Sequence, residues 1–257
     1  REAQETKVST EFNNITINRT NSKYLEIATG PSLTFGENVT LLQNSNIVNE
    51  GSNKLMVRLG YNEYQTNSGV NYPKTCVNAS FTMLSGTLNY VQGGNKWTPI
   101  TGTSTITLGE DAVLTDFLQA GGTANGSRNV DVNNVVINAD GAFVPTVHLG
   151  AYSTAKINGN VTATFKNMPN MVIQDQRTNA STDGNIVGNL SLTLINSPAT
   201  SLTVNKRPIG GNLSVTLDNS DVETITGLDS TGIGGTVSMT LKNFEEYYPA
   251  TDFAGVD

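Results

Sequence analysis

The sequence predicts an all-β protein built as a single-stranded parallel β-helix, a solenoid of about 20–29 residues per coil. Three observations predict it: a turn- and strand-rich composition, a short block that recurs four times, and a second apolar run at a steady offset after each of the first three blocks. The composition comes first because it removes helices. The chain holds 32 Asn, 34 Thr, 19 Ser and 25 Gly, about 43% of its 257 residues, and only 14% are charged. Helices favour Ala, Leu, Glu, Lys and Arg, which lose little rotamer freedom there. Thr suits strands, and Asn and Gly suit turns. Hydrophobic residues still make up 37%, arranged in alternating runs that a disordered chain lacks.

The recurring block fixes the architecture. It reads Gly159-Asn160-Val161-Thr162-Ala163-Thr164-Phe165-Lys166-Asn167, then Gly188 to Asn196, Gly211 to Asn219 and Gly235 to Asn243, at steps of 29, 23 and 24 residues. The consensus is Gly-Asn, apolar, hydroxyl, apolar, Thr, apolar, any residue, Asn. Five strictly alternating residues make a strand with one buried face. The flanking Gly and Asn tolerate left-handed backbone. One such strand cannot bury its apolar face alone, whereas identical units stacked in register can. Val161, Ala163, Phe165, Leu190, Leu192, Leu194, Leu213, Val215, Leu217, Val237, Met239 and Leu241 are therefore expected to stack, buried, in four parallel strands. Met171-Val172-Ile173, Ser201 to Val204 and Glu223-Thr224-Ile225 supply the second strand of each coil. A β-sandwich also has short strands at about 8–12 residue spacing, but it does not repeat one strand between the same two turns.

The N-terminal half carries the same grammar in degraded form, so residues 1–257 read as one solenoid domain, with degenerate coils over 1–150 and regular coils over 151–257. Leu33 to Leu41 and Ile106 to Leu114 each read as strand, corner and strand, with corners at Gly36-Glu37-Asn38 and Gly109-Glu110-Asp111. Phe81 to Val91 reads as two strands around a Ser85-Gly86 turn, and Asn14 to Asn18 and Asn134 to Asn138 as short strands bracketed by Asn. Gly60 to Pro73 and Gly93 to Pro99 break the rhythm and are expected to protrude as loops from a coil corner.

The strings Leu33 to Leu41 and Phe81 to Gly94 resemble the repeats of large adhesin-like surface proteins of anaerobic gut bacteria, which look like pectate-lyase-type β-helices. The resemblance spans most of the chain as a pattern and brings no fixed functional residue with it. It implies a right-handed coil and a monomeric module of a larger protein on the bacterial cell surface, outside the cell. It also implies a non-enzymatic role in which the module binds glycan or a surface protein, without a cofactor.

Residue chemistry narrows the remaining options. A net charge of −7 disfavours nucleic acid and anionic membrane surfaces, which need clustered Lys and Arg, and no apolar stretch is long enough to insert in a membrane. The one cysteine, Cys76, forms no internal disulfide and is expected to be a small buried apolar residue. His148 is the only histidine; a Ser-His-Asp arrangement would need it as base, and its alternating context makes it a wall residue of a coil. One His and one Cys do not make a zinc site, and Glu37-Asn38 and Glu110-Asp111 read as solvated corners rather than cation sites. No catalytic residue and no metal ligand is therefore expected. Two alternatives from other classes stay open. A polysaccharide lyase or hydrolase on the same scaffold would use Asp175, Arg177 and Asp183, otherwise residues of an exposed polar corner. An ice-binding solenoid would use the hydroxyl ladder Thr162/Thr164, Ser191/Thr193, Ser214/Thr216 and Ser238/Thr240. The candidate binding residues are Tyr61, Tyr64, Tyr72 and Trp97, four of the chain's nine Tyr and Trp within 37 positions and interleaved with Asn, Gln and Thr. Aromatic faces beside amides suit sugar rings, which offer an apolar C–H face and a hydroxyl rim.

Overall fold

The computed structural model describes residues 9–14, 16–19, 25–29, 31–43, 55–61, 75–124, 130–175, 186–204, 208–228 and 232–243. Every assigned element among them is a β-strand, and every strand pairing is parallel. The chain is a parallel β-solenoid of stacked coils.

One long stack runs through β1 (Ser9–Phe12), β4 (Ser32–Phe35), β7 (Ala79–Gln92), β8 (Ile100–Gln119), β9 (Val132–Asp140), β11 (Val161–Lys166), β13 (Leu190–Ile195), β15 (Leu213–Asp218) and β17 (Val237–Lys242). The four sequence blocks are its last four strands, in the register their alternation demands: Ala163 opposes Leu192, Leu192 opposes Val215 and Val215 opposes Met239. A second stack links β3 (Leu25–Ala28), β6 (Leu55–Arg58), the ends of β7 and β8, β10 (Thr146–His148), β12 (Met171–Gln174), β14 (Ala199–Thr203) and β16 (Ile225–Thr226). β2 (Thr16–Arg19) and β5 (Thr40–Gln43) pair as a separate small sheet. A third ladder closes the coil through single residues: Cys76, Ile100, Val132, Ile157, Ile186, Ile209 and Ile233 pair in succession. All seven are buried, so Cys76 holds the place that Val or Ile takes in every later coil. The three ladders enclose a continuous apolar core from Leu33 to Ile233.

The consensus turns have a physical cause. Asn167, Asn196, Asn219 and Asn243 end the block strands in left-handed backbone, at φ between 47° and 55°. Asn196 Nδ2 donates to Asn167 Oδ1 (3.2 Å), and Asn219 Nδ2 donates to Asn196 Oδ1 (2.8 Å). At the other end of the strands, Asn160 Oδ1 accepts from the Asn189 N–H (2.9 Å) and Asn189 Oδ1 from the Asn212 N–H (2.8 Å). That bond brings the next coil so close that a Cβ on Gly211 would lie 2.3 Å from Asn189 Oδ1. Gly-Asn is thus a coil-to-coil joint: the Asn accepts from the coil above, and the Gly clears the Asn below.

Three expectations need correction. The corners at Ser85-Gly86 and Gly109-Glu110-Asp111 do not break the chain; β7 and β8 run through them as continuous strands, with register shifts in β7 at Met83/Ser85 and Leu88/Tyr90. The β7–β8 ladder resumes directly past the corner, pairing Ser85 with Asp111 and Gly86 with Ala112, so both strands continue through the bend. Val237 and Met239 are only half-buried and Leu241 is 40% exposed, because among the described residues no coil stacks on β17. Gly93 to Pro99 does not protrude: Gly93, Gly94, Asn95 and Thr98 are buried, with the Gly93 N–H bonded to Gln119 O at 2.8 Å.

Candidate functional site

Three outward features carry side-chain chemistry. The first is the face of the long stack. The expected hydroxyl ladder is present and longer than the four blocks. One row runs Ser32, Ser80, Thr105, Val136, Thr162, Ser191, Ser214, Ser238, and the next runs Glu11, Thr34, Thr82, Thr107, Asn138, Thr164, Thr193, Thr216, Thr240. The flanking Asn amides are used up in coil-to-coil bonds. Among the described residues the Thr hydroxyls of the second row bond to no other protein group. Beside them Lys166 Nζ pairs with Asp140 Oδ2 at 3.0 Å, both exposed. Hydrogen bonds from Lys166 and then Asn167 hold the Asp140 carboxyl below its ordinary value of 3.8.

The second feature is the corner that brings two sequence-predicted residues together. Tyr61 and Trp97 are both half-buried. Their segments are tied by Thr98 Oγ1 donating to Tyr61 O (2.8 Å) and by Asn95 Nδ2 donating to Leu59 O (3.4 Å). Asn95 Oδ1 in turn accepts from the Lys96 and Trp97 N–H groups at 2.8 and 3.0 Å, which fixes the backbone that carries the indole. Lys96 Nζ stands 5.1 Å from the Trp97 ring centroid, within the range of a cation–π contact. Tyr61 packs against the core, so it is partly a corner cover, whereas among the described residues Trp97 is half-buried outside that core cluster. Tyr64 and Tyr72 lie outside the described residues. Two residues beyond Trp97 begins an open groove of about 300 Å³, lined by Pro99, Ile100, Thr101, Asp131, Asn133 and Asn158. That is the lower end of the ~300–1,000 Å³ typical of small-molecule sites. Asp131 is held in place by the Lys156 N–H at Oδ1 (2.9 Å) and by Asn158 Nδ2 at Oδ2 (3.3 Å). The sequence did not single out this groove, because its residues come from three coils, Thr101 32 positions before Asn133 and Asn133 25 before Asn158, and share no motif.

The third feature is a covered file on the outer face of the second stack. Arg58, Gln92, Gln119, His148 and Gln174 succeed one another in register, and the first four are buried. Arg58 Nε donates to Gln92 Oε1 (2.5 Å) and Gln92 Nε2 to Gln119 Oε1 (3.2 Å), while Gln174 Nε2 lies 3.1 Å from His148 Nδ1. Alongside, Tyr90 and Phe117 stack at 4.5 Å, and Phe117 meets the His148 ring edge-on at 5.4 Å. His148 is thus a wall residue, as its context predicted, but one enclosed among amides. The sequence signal was an amide, Arg or His one residue past a core position, as in Met56-Val57-Arg58, Tyr90-Val91-Gln92 and Phe117-Leu118-Gln119. Asp175, expected at an exposed corner, is 4% exposed. It follows β12 directly; its N–H bonds Thr203 O at 2.9 Å, and its own carbonyl lies where a Cβ on Gly150 would be only 2.3 Å away. Arg177 and Asp183 lie outside the described residues.

Among the described residues no three His, Cys, Asp or Glu side chains are grouped to hold a metal ion, and no helix is long and apolar enough to cross a membrane. Glu37 and Asn38 serve the small N-terminal turn instead, the Glu37 N–H bonding Asn13 Oδ1 and Asn38 Nδ2 bonding Asn14 Oδ1. No family model, no curated protein and no solved structure matches this chain.

Proposed function

We propose that this chain is a non-catalytic, adhesin-like module of a bacterial cell surface that binds neutral glycan at the Trp97 corner. One observation carries the reading: a half-buried, backbone-fixed indole is followed within two residues by a shallow groove whose polar lining is Thr101, Asp131, Asn133 and Asn158. Sugars need both halves, an aromatic face for the C–H side of the ring and short amide or carboxylate groups for its hydroxyls. The non-catalytic part rests on the single histidine being enclosed among Gln side chains and on Asp175 being buried at the coil interior edge. Surface display outside the cell rests on the repeat resemblance and on a composition rich in Asn, Thr and Ser.

The test is a glycan array probed with the parent chain, Trp97→Ala and Asn133→Ala. Trp97→Ala should weaken binding about tenfold, equivalent to ~1.4 kcal/mol, and Asn133→Ala by several-fold, for one hydrogen bond of ~0.5–1.5 kcal/mol. Binding unchanged in both variants would remove the corner as the site. Depolymerisation of any glycan by the parent chain would overturn the non-catalytic reading.

A further inference from the structure

We infer that the glycan is a long neutral polysaccharide laid along the solenoid axis, on a linear track that extends the groove; this rests on the glycan reading above. The third ladder supplies the track. The residue after each of its first five members faces outward, giving the row Val77, Thr101, Asn133, Asn158, Val187. Its middle three line the groove. Its two ends are exposed valines, Val77 at 48% and Val187 at 46%, whose apolar surface can meet the C–H face of a sugar ring. Beyond Val187 the row continues as Gly210 and Gly234, both exposed and without side chains, so among the described residues the row itself raises no side chain in the path of a chain running onward along the axis. A surface with polar groups at its centre and apolar groups at both ends, all in one line, matches a polymer rather than a single sugar.

Charge selects the class of polymer. The row is uncharged, and the groove holds one carboxylate, Asp131, in a chain of net charge −7. An acidic polysaccharide would be repelled. Length follows from spacing: successive coils rise about 4.8 Å, so Val187 stands roughly 14 Å along the axis from Thr101. A disaccharide fills the groove only; a longer oligomer reaches Val187. Each added contact exchanges a water contact for a sugar contact at little net gain, so the benefit comes from linking sites on one ligand. The hydroxyl rows lie past the Gly-Asn corner on a different face, and they are not part of the track.

The experiment uses affinity electrophoresis in gels containing hydroxyethyl cellulose, xylan or galactomannan, with polygalacturonate as the acidic control. Calorimetry follows, with oligosaccharides of increasing length from the retained polymer. Variants are Trp97→Ala, Val187→Arg and Thr193→Arg, each checked for parental circular dichroism and melting. The parent should be retained by a neutral polymer and not by polygalacturonate, and its affinity should rise about tenfold or more from disaccharide to hexasaccharide. Val187→Arg should lose that rise and keep disaccharide binding, and Thr193→Arg should match the parent. Hexasaccharide binding no tighter than disaccharide, with both lost in Trp97→Ala, would overturn the track and leave the corner standing. Loss of polymer binding in Thr193→Arg alone, or ice shaping that Thr193→Arg abolishes, would move the ligand to the hydroxyl face and overturn the track. Retention by none of the neutral polymers would overturn both the track and the glycan reading.

Discussion

Truncating Leu192 to alanine probes the enclosed centre of the stack, and truncating Met239 probes the same repeat position in the last described strand, which is only half-buried. Leu192 is 1% exposed and sits in register between Ala163 below and Val215 above. Leu→Ala removes three carbons, worth ~2.4 kcal/mol of transfer free energy at ~0.8 kcal/mol per methylene. The void adds to this, because Ala163 has no side chain that can swing into it and paired strands on both sides hold the backbone in place. A total of ~4 kcal/mol follows, within the ~2.7–5 kcal/mol range of enclosed Leu→Ala sites. Met239 opposes Val215 from the other side, but it is only half-buried, and its truncation should cost ~1 kcal/mol. Urea unfolding monitored by circular dichroism and by the fluorescence of Trp97, the single tryptophan, gives both values and shows whether the transitions coincide. Equal costs for the two variants would refute the reasoning, since it derives the difference from Leu192 having a stacked strand on both sides and Met239, among the described residues, on one.

Two further consequences follow from the joints and the surface charges. Gly211→Ala places a Cβ 2.3 Å from Asn189 Oδ1 and 2.8 Å from the Gly188 carbonyl carbon; it should cost ~1–3 kcal/mol as an overpacked site, measured by the same unfolding experiment. Asp140 should titrate below its ordinary value of 3.8, because Lys166 and Asn167 hydrogen-bond its charged form. Its contribution to stability is therefore complete above the unfolded-state pKa and disappears as pH falls through the lower folded-state pKa. Carbon-detected NMR titration of the carboxyl should show this, and Lys166→Ala should bring the midpoint up.

The regular half of the fold was legible because one physical need, a half-buried strand jointed to its neighbours, repeats in the same letters. Alternation gave the core face of β11, β13 and β15, and the Gly-Asn and terminal Asn positions marked the joints. It could not give the fate of β17, since burial there depends on what stacks above and not on the strand's own alternation. Nor could it show that Ser85-Gly86 and Gly109-Glu110-Asp111 bend without breaking; turn-forming residues mark where a chain can turn, and the β7–β8 ladder resuming past the corner decides whether the strand continues. Of the candidate site, Trp97 and Tyr61 were picked out by their aromatic rings among amides. The groove that begins at Pro99 was not, because Thr101, Asp131 and Asn158 meet only when coils stack. Asp175 misled for a related reason: a charged residue after a strand usually faces solvent, but here Gly150 lets its backbone pack tightly against the neighbouring coil.

The parallel register underlies the core, the groove and the track alike, and paired cysteines test it most directly. Thr193 and Thr216 oppose each other on neighbouring strands, about 4.8 Å apart at Cα, inside the ~4.4–6.8 Å window for a disulfide. Thr193 and Ser214 are offset by two residues, roughly 8 Å apart and beyond the ~7 Å limit for closure without backbone movement. Under mild oxidation, Thr193→Cys/Thr216→Cys should close an intramolecular disulfide, read by mass and by non-reducing mobility, while Thr193→Cys/Ser214→Cys stays reduced. Closure of the offset pair in preference to the opposed pair would contradict the stacking from which the binding surface is built.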